Sequence, residues 1–531
     1  MKTYLASILL VLLLLVGCTA RTENRAMTIT VIADGRERHF TYDQPISVGQ
    51  FLALDTVGVT IGELDRLNPP ENTQIRDGIV ITVVRVQEQI DCEENDIPYQ
   101  QRRVANEGLE PGEERLAQAG VNGIEQVCYR TTLEDGQPVQ RVEIRRVVLQ
   151  AAQEEVVFFG VDTASLEVVP ITGTLAYISN RNAWIMSGSS ATKRPLTNSG
   201  ALDGRVFDLS SNGDQLLFTQ SYTGEEDRDI YFNTLWTLLD TGASEPAPQQ
   251  LTLFNNILYA EWVPGQPYTF SYSTAEARSS PPGWQAFNDL WTIRLDPRTA
   301  APINPVNIVE TSSGGIYGWW GTHFHWSPDG SALAWSRADS VGLVDLETGE
   351  LHPLLSFPVY TTFQDWVWQP GISWSPDGLM LITTVHGPPF GSEQPETSPV
   401  FNVAVVTVDG NVRVELVQQA GIWAAPQFSP FDPASGGNPR GLLAYLQARD
   451  PLNSVNGTYD LMVADRDGSN ARRVFPPAGQ PGLSPQQIAW SPDGRQIALI
   501  YQGNLWIVDV NSGRAQPLTV DGQASSPQWS S

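Results

Sequence analysis

Lysine is almost missing from this chain: Lys2 and Lys193 are the only two in 531 residues, so nearly all positive charge is arginine. Against 32 basic residues stand 59 acidic ones, a formal net charge of −27. That balance excludes a protein that grips phosphate backbones, which needs a basic footprint, so no nucleic-acid partner is expected. It leaves the fold open, because net charge governs solubility and non-specific contact rather than topology. Histidine is scarce as well, five in all, and no metal or other cofactor is expected. The chain has no Gly-x-Ser-x-Gly nucleophile elbow, which argues against a serine hydrolase of the α/β type. No catalytic residue is assigned. Long apolar runs are lacking beyond Leu5–Val16, which is too short to cross a bilayer comfortably.

That one run has a specific context. Lys2 precedes it, and Leu15-Val16-Gly17-Cys18 places small residues just ahead of a cysteine, the pattern of a bacterial lipobox. Residues 1–17 are expected to be a lipoprotein signal peptide, and residues 18–26 a tether whose Cys18 carries the lipid. Two or more acyl chains suffice for stable anchoring. The expected location is therefore extracytoplasmic, lipid-anchored at the cell surface or in the periplasm. Cys92 and Cys128 remain. In an oxidising compartment such a pair is expected to form a disulfide.

Residues 27–86 read as strand, helix, strand. Thr28–Ala33 and Arg38–Tyr42 flank the turn Asp34-Gly35, Ser47–Val57 is predicted as a short amphipathic helix, and Ile79–Val86 is rich in β-branched residues. Val31-Ile-Ala-Asp-Gly, Val48–Gly58, Leu64-Asp-Arg-Leu-Asn-Pro and Ile75–Val83 together resemble the ubiquitin-like repeat found beside five-glycine domains of cell-wall proteins. That implies a small β-grasp-type α+β domain. Residues 87–161 resemble the five-glycine (G5) domain itself. The opening Ile97-Pro98-Tyr99 is followed by Gly112, Gly120, Gly123, Gly136 and Gly160 at the family's glycine positions. The resemblance implies a thin, extended β-sheet with contact to cell-wall glycan, peptidoglycan in particular. Asn122-Gly123 and Asp135-Gly136 are expected to reverse the chain with positive φ.

From Ile171 onward the chain is a succession of short apolar runs punctuated by Gly, Pro, Asn and Asp. Trp-Ser-Pro-Asp-Gly recurs at Trp326–Gly330, Trp374–Gly378 and Trp490–Gly494, and a cut copy, Pro527–Ser531, ends the sequence. Seven second strands are predicted, starting at Thr174–Ser179, but that first one has no first strand ahead of it. The terminal Pro527–Trp529 supplies one, so residues 171–531 are expected to form a seven-bladed β-propeller closed by the C-terminal strand. The turns, with Ala183-Trp-Ile-Met, Leu235-Trp-Thr-Leu, Leu290-Trp-Thr-Ile and Leu505-Trp-Ile-Val, resemble the WD40-like repeats of TolB-type propellers. The expected fold class is mainly β throughout.

Propellers host many activities, so the resemblance implies architecture and not function. Connections on one face are tight; those on the other are long, at Tyr222–Asn233, Thr274–Asp289, His386–Val400 and Ala448–Tyr459, and long loops carry function disproportionately. Aromatic residues concentrate there. Trp284, Tyr317, Trp319, Trp320, Trp366 and Trp423, with His323 and Asp365, are the ligand-binding candidates; tryptophan stacks on sugars and anchors protein partners. The expected function is a membrane-anchored binding or scaffold lipoprotein, with protein or saccharide bound on this face. The alternatives are a polysaccharide lyase or hydrolase using His323, His325, Asp365 or His386, and a purely structural envelope or sensor component.

Overall fold

The computed structural model describes residues 26–164, 166–222, 224, 230–389, 391–430 and 441–531. The expected signal peptide, Cys18 and most of the tether lie outside the described residues, as does part of the Tyr222–Asn233 connection. No described helix is long and apolar enough to cross a membrane. The chain divides into two compact units, Met1–Gln101 with Ala119–Glu155, and Arg102–Gln118 with Val156–Ser531. Residues 87–161, read as one segment in the sequence, thus contribute to both.

In the first unit Met27–Ala33 and Arg36–Tyr42 form a hairpin with Val31 opposite Arg38. Its turn has φ +54° at Asp34 and +68° at Gly35, the two left-handed residues that match strand twist. Ile79–Val84 runs parallel to the first strand, and Arg66–Asn68 pairs at its far side. A parallel neighbour requires a crossover, which the helix Val48–Leu52 supplies. Ser47 and Gln50 cap it reciprocally, side chain to backbone at 3.3 and 3.0 Å. The helix is shorter than predicted. The poor helix formers Asp55-Thr56-Val57 continue as turns instead, with Val57 N–H donating to the Leu54 carbonyl. Phe51, Leu52 and Val48 pack on Ile29, Val31 and Ile81 to make the core.

Three long strands, Val86–Ile97, Gly123–Glu134 and Gln137–Gln150, make a second sheet with little core. Val139, Ile144 and Leu149 on its last strand are exposed. Cys92 and Cys128 lie directly opposite on neighbouring strands and form the disulfide. Closing a loop of 36 residues in sequence stabilises by about 3–4 kcal/mol on the chain-entropy model, a useful amount in a sheet that buries so little. Asp135-Gly136 turns with positive φ as expected, but Gly123 does not. Gly123 is required for proximity instead: a Cβ there would sit 2.5 Å from the Gln150 carbonyl oxygen.

The second unit begins with a three-stranded sheet, Gln101–Asn106, Glu155–Gly160 and Glu114–Gln118, around Val104, Leu109, Val156 and Phe158. Seven antiparallel sheets follow among the described residues, here numbered one to seven; each has a row of four strands, in sequence order except in the first, and the third adds a short fifth strand. Sheet one takes Pro170–Ser179, Asn182–Ser189 and Arg194–Pro195, and its fourth strand is Ala524–Ser530 from the other end of the chain. Leu175 lies opposite Trp529 and Thr174 opposite Ser530; the Trp529 indole N–H donates to the Thr172 carbonyl at 2.7 Å. Buried side chains join each sheet to the next: Leu209 and Leu216 pack with Ile178 and Ile185, Leu217 with Trp262, and Val263 with Trp326. The series continues through Ala334 with Trp374, Ile382 with Phe428, and Leu461 with Trp490. Ile507 and Leu518 of sheet seven then pack with Leu175 and Trp184 of sheet one.

The Trp-Ser-Pro-Asp-Gly motif explains itself locally. Ser327 Oγ donates to Asp329 at 2.6 Å and accepts the Ala332 N–H at 2.9 Å, while Gly330 turns with φ +69°. A Cβ on Gly330 would lie 2.2 Å from the Pro264 carbonyl oxygen. The hydroxyls of Ser327 and Ser331 hold the Asp329 carboxyl down to about 2. Ser375-Asp377 and Ser491-Asp493 repeat the arrangement. Asp465-Arg-Asp467 is likewise a turn, its carboxylates held by Ser469 and Asn470.

Candidate functional site

Each first strand of sheets two to seven closes on a large apolar residue: Leu209, Trp262, Trp326, Trp374, Phe428 and Trp490, all buried. Side chains alternate along a strand, so the residue just before each one faces away from that packing. Those residues are Asp208, Glu261, His325, Ser373, Gln427 and Ala489, with Gln528 at the same place on the terminal strand. Asp208, Glu261, His325 and Gln528 line a cavity of about 370 Å³. Residues from sheets one, two, three, four and five thereby meet at one place.

A hydrogen-bonded web holds the centre of that cavity. His325 Nδ1 lies 2.7 Å from Glu261 Oε1, and Tyr259 donates its hydroxyl to Glu261 Oε2 at 2.6 Å. Asp208 accepts the Trp262 backbone N–H at 2.8 Å. Burial, then the nearby Glu261 carboxylate, pushes Asp208 well above the usual carboxylate range. Burial pulls the His325 imidazole down, but Glu261 and Asp208 more than offset this and raise it. Tyr259 is raised by burial and by Glu261. His323, two residues earlier on the same strand, opens onto the cavity with protein around it; burial and the Arg205 charge lower it. The Glu261 carboxylate fixes which His325 nitrogen carries its proton and leaves Nε2 as the free one, an arrangement suited to proton exchange with a bound molecule. Among the described residues no group of His, Cys, Asp and Glu has the geometry of a metal site.

These shifts imply a pH dependence. Both Asp208 and His325 have folded pKa values above their unfolded ones, so the native state binds more protons and stability falls as pH rises. The His325 contribution is complete below about 6.5 and is lost through its raised folded value; the Asp208 contribution begins to fall above about 3.9. The melting temperature is expected to drop more between pH 5.5 and 8 in the natural chain than in an Asp208→Asn, His325→Gln variant. Parallel curves in calorimetry would exclude the cluster as the cause.

A second cleft, of about 450 Å³, is lined by Tyr317, Trp320, Tyr360, Phe363, Asp365 and Trp366 among others. Phe363 is 82% exposed and sits at φ +56°, and Tyr317 is 40% exposed at φ +55°. Left-handed backbone is costly for large side chains, and here it presents two rings to solvent at the cleft. Trp366 rests on Trp423 with ring centroids 5.7 Å apart, and its indole N–H donates to Gln364 at 3.1 Å. Trp320 meets Trp284 edge-on at 5.8 Å.

Four of the eight candidates, Tyr317, Trp320, Asp365 and Trp366, therefore line one cleft. Trp284 and Trp423 stand behind it, Trp423 fixed by an indole bond to the Val455 carbonyl at 3.0 Å. Trp319 is 42% exposed without lining the cleft. His323 belongs to the other cavity. Trp368 is core, donating to the Ile422 carbonyl. His386 is buried with its nitrogens 2.8 Å from the Pro358 and Ser398 carbonyls, which takes it out of reach of a substrate. The Thr274–Asp289 connection is not a plain loop, because Trp284–Ala286 pairs with Ala275–Ala277. Sequence reasoning missed Asp208, Glu261 and Arg205. Alignment of the first strands on their closing apolar residues, Leu209 and Trp262 among them, was the available signal for the two carboxylates.

The G5 domain family matches residues 88–161, and the dipeptidyl peptidase IV N-terminal region family matches residues 454–527. Among solved structures, the HP0197 G5 domain is similar at 18% identity over 14% of this chain and 99% of that one, TM-score 0.14. A putative TolB from Agrobacterium tumefaciens is similar at 15% identity over 60% of this chain and 94% of that one, TM-score 0.35. The periplasmic gluconolactonase PpgL of Pseudomonas aeruginosa is similar at 14% identity over 67% and 99%, TM-score 0.41. At these levels the likenesses assign neither ligand nor activity.

Proposed function

We propose that this chain is an extracytoplasmic binding or scaffold lipoprotein whose aromatic cleft takes a saccharide. The observation that carries the reading is the cleft itself: Tyr317, Trp320, Phe363 and Trp366 surround a cavity large enough for a sugar unit, with the Asp365 carboxylate beside them. Aromatic faces stack on the apolar faces of sugar rings, and a nearby carboxylate accepts their hydroxyls. The seven sheets act as blades of a propeller closed by Ala524–Ser530; pairing of that strand with Pro170–Ser179, and packing of sheet seven on sheet one, support this. Residues 27–86 serve as a ubiquitin-like spacer, and the G5-matching residues contact cell-wall glycan, a role supported by the family match. Cys18 carries the membrane anchor.

A glycan array probed with the chain lacking residues 1–18 tests the cleft. Selective binding to a saccharide class is expected, weakened at least tenfold by Trp366→Ala with the melting temperature little changed. Binding to no glycan, or binding indifferent to Trp366, rejects the reading. The Glu261–His325 pair favours the second reading, a hydrolase or lyase acting at the central cavity. Turnover of a bound glycan that ceases in His325→Gln would establish it.

A further inference from the structure

The cavity lined by Asp208, Glu261 and His325 also holds a cation with no ion-pair partner among the described residues. The Arg205 guanidinium makes no ion pair and no side-chain hydrogen bond with any described residue; it lies 4.2 Å above the Trp284 ring and 5.6 Å from that of Phe232. Arg85, Arg449 and Arg466, by contrast, each hold a carboxylate at 2.7 Å or closer. Asp203 is the acidic residue nearest in sequence, and it is engaged elsewhere, accepting the Thr219 hydroxyl and the Arg205 backbone N–H. Arg205 and His323 both line the cavity that Asp208, Glu261 and His325 close. Within it, His325 pairs with Glu261 at 2.7 Å, and burial next to Glu261 pushes Asp208 above the usual carboxylate range. Arg205 is the only arginine among the described residues that line it. An arginine with no ion-pair partner among the described residues stands out in a chain of net charge −27, whose general field repels anions.

Position ties this cation to the aromatic cleft. Arg205 stacks on Trp284, Trp284 meets Trp320, and Trp320 lines the cleft. A guanidinium offers two parallel N–H donors that match a carboxylate, and stacking on an indole pre-orients that fork. His323 adds an imidazole N–H at the same wall. We infer that Arg205, backed by Trp284 and assisted by His323, receives the carboxylate of an acidic saccharide whose neighbouring units lie in the aromatic cleft. This rests on the saccharide reading and narrows it to uronate-type ligands.

Two probes test it: a galacturonate trisaccharide, and the neutral trisaccharide made by reducing its carboxyl groups, each titrated calorimetrically at pH 7. The natural chain is expected to bind the acidic probe at least tenfold more tightly, and added salt should weaken only that probe. Arg205→Gln should bring the two affinities together, and Arg205→Lys should recover only part of the difference. Trp366→Ala should weaken both probes alike. Equal affinities in the natural chain overturn the inference and leave saccharide binding standing. A preference for the acidic probe that survives Arg205→Gln also overturns it. Failure of both probes overturns it too, and the glycan array then decides separately whether the cleft binds sugar. Circular dichroism of Arg205→Gln checks that lost preference is not lost fold.

Discussion

Deleting Pro527–Ser531 lowers the melting temperature of the larger unit by about 5–10 °C, the first result we expect. The five residues supply the Leu175–Trp529 and Thr174–Ser530 pairs of sheet one and the indole bond to the Thr172 carbonyl. Trp529 also packs against the core shared by sheets one and seven. Losing that core contact, and leaving the Pro170–Ser179 ladder open on one side, costs roughly 5 kcal/mol. In a unit of this size each kcal/mol moves the transition by about 2 °C. Differential scanning calorimetry reads the shift directly. An unchanged transition would show that the terminal strand is ornamental and that sheet one is stable without it.

Lys193→Met is expected to cost about 3–5 kcal/mol, the usual consequence of stripping one partner from a buried ion pair. Lys193 and Glu107 pair directly, with only 6% and 5% of their side chains accessible. Glu107 also accepts the backbone N–H groups of Val520 and Asp521, at 2.5 and 3.2 Å. The carboxylate therefore stays buried when its ammonium partner is removed. Adding Glu107→Gln to Lys193→Met should restore much of the loss, since a neutral amide keeps an oxygen for those N–H groups and needs no counter-charge. Urea denaturation midpoints of the two single variants and the double variant form the cycle. A single Lys193→Met variant as stable as the natural chain would mean the pair contributes nothing net.

Lys193 also shows what a sequence can and cannot say. Ser190-Ala-Thr-Lys193 reads as a chance match to an enzyme motif, and Ser190–Thr192 is indeed one short turn of 3-10 helix. Nothing local reveals that its lysine meets Glu107, 86 residues away. Strands were legible for a different reason. Period-two alternation and the Trp-Ser-Pro-Asp-Gly turns are local, and the strands predicted at Thr28–Ala33 and Thr174–Ser179 lie within Met27–Ala33 and Pro170–Ser179. The helix at Ser47 overran because its apolar spacing continues past Leu52 while its propensity does not. Gly123 was misread because a glycine kept for a close neighbour looks, in sequence, like one kept for positive φ. Tyr317 and Trp366 were visible as aromatic residues ahead of strands, yet their meeting in one cleft depends on how adjoining sheets pack. Arg205 was invisible: its distinction is that no described residue pairs with its guanidinium, and that depends on how the sheets pack.

The pairing of Pro170–Ser179 with Ala524–Ser530 has a consequence for how the chain is made. A polypeptide emerges from the ribosome N-terminus first, so Ser179 appears 345 residues ahead of Ala524, its partner in the ladder. Throughout that interval its backbone edge lacks its final neighbour, the kind of edge that recruits foreign strands. The three-stranded stage of sheet one is thus the vulnerable interval in biogenesis, when a holding factor would matter most. Synthesis of Ala524–Ser530 ends that exposure.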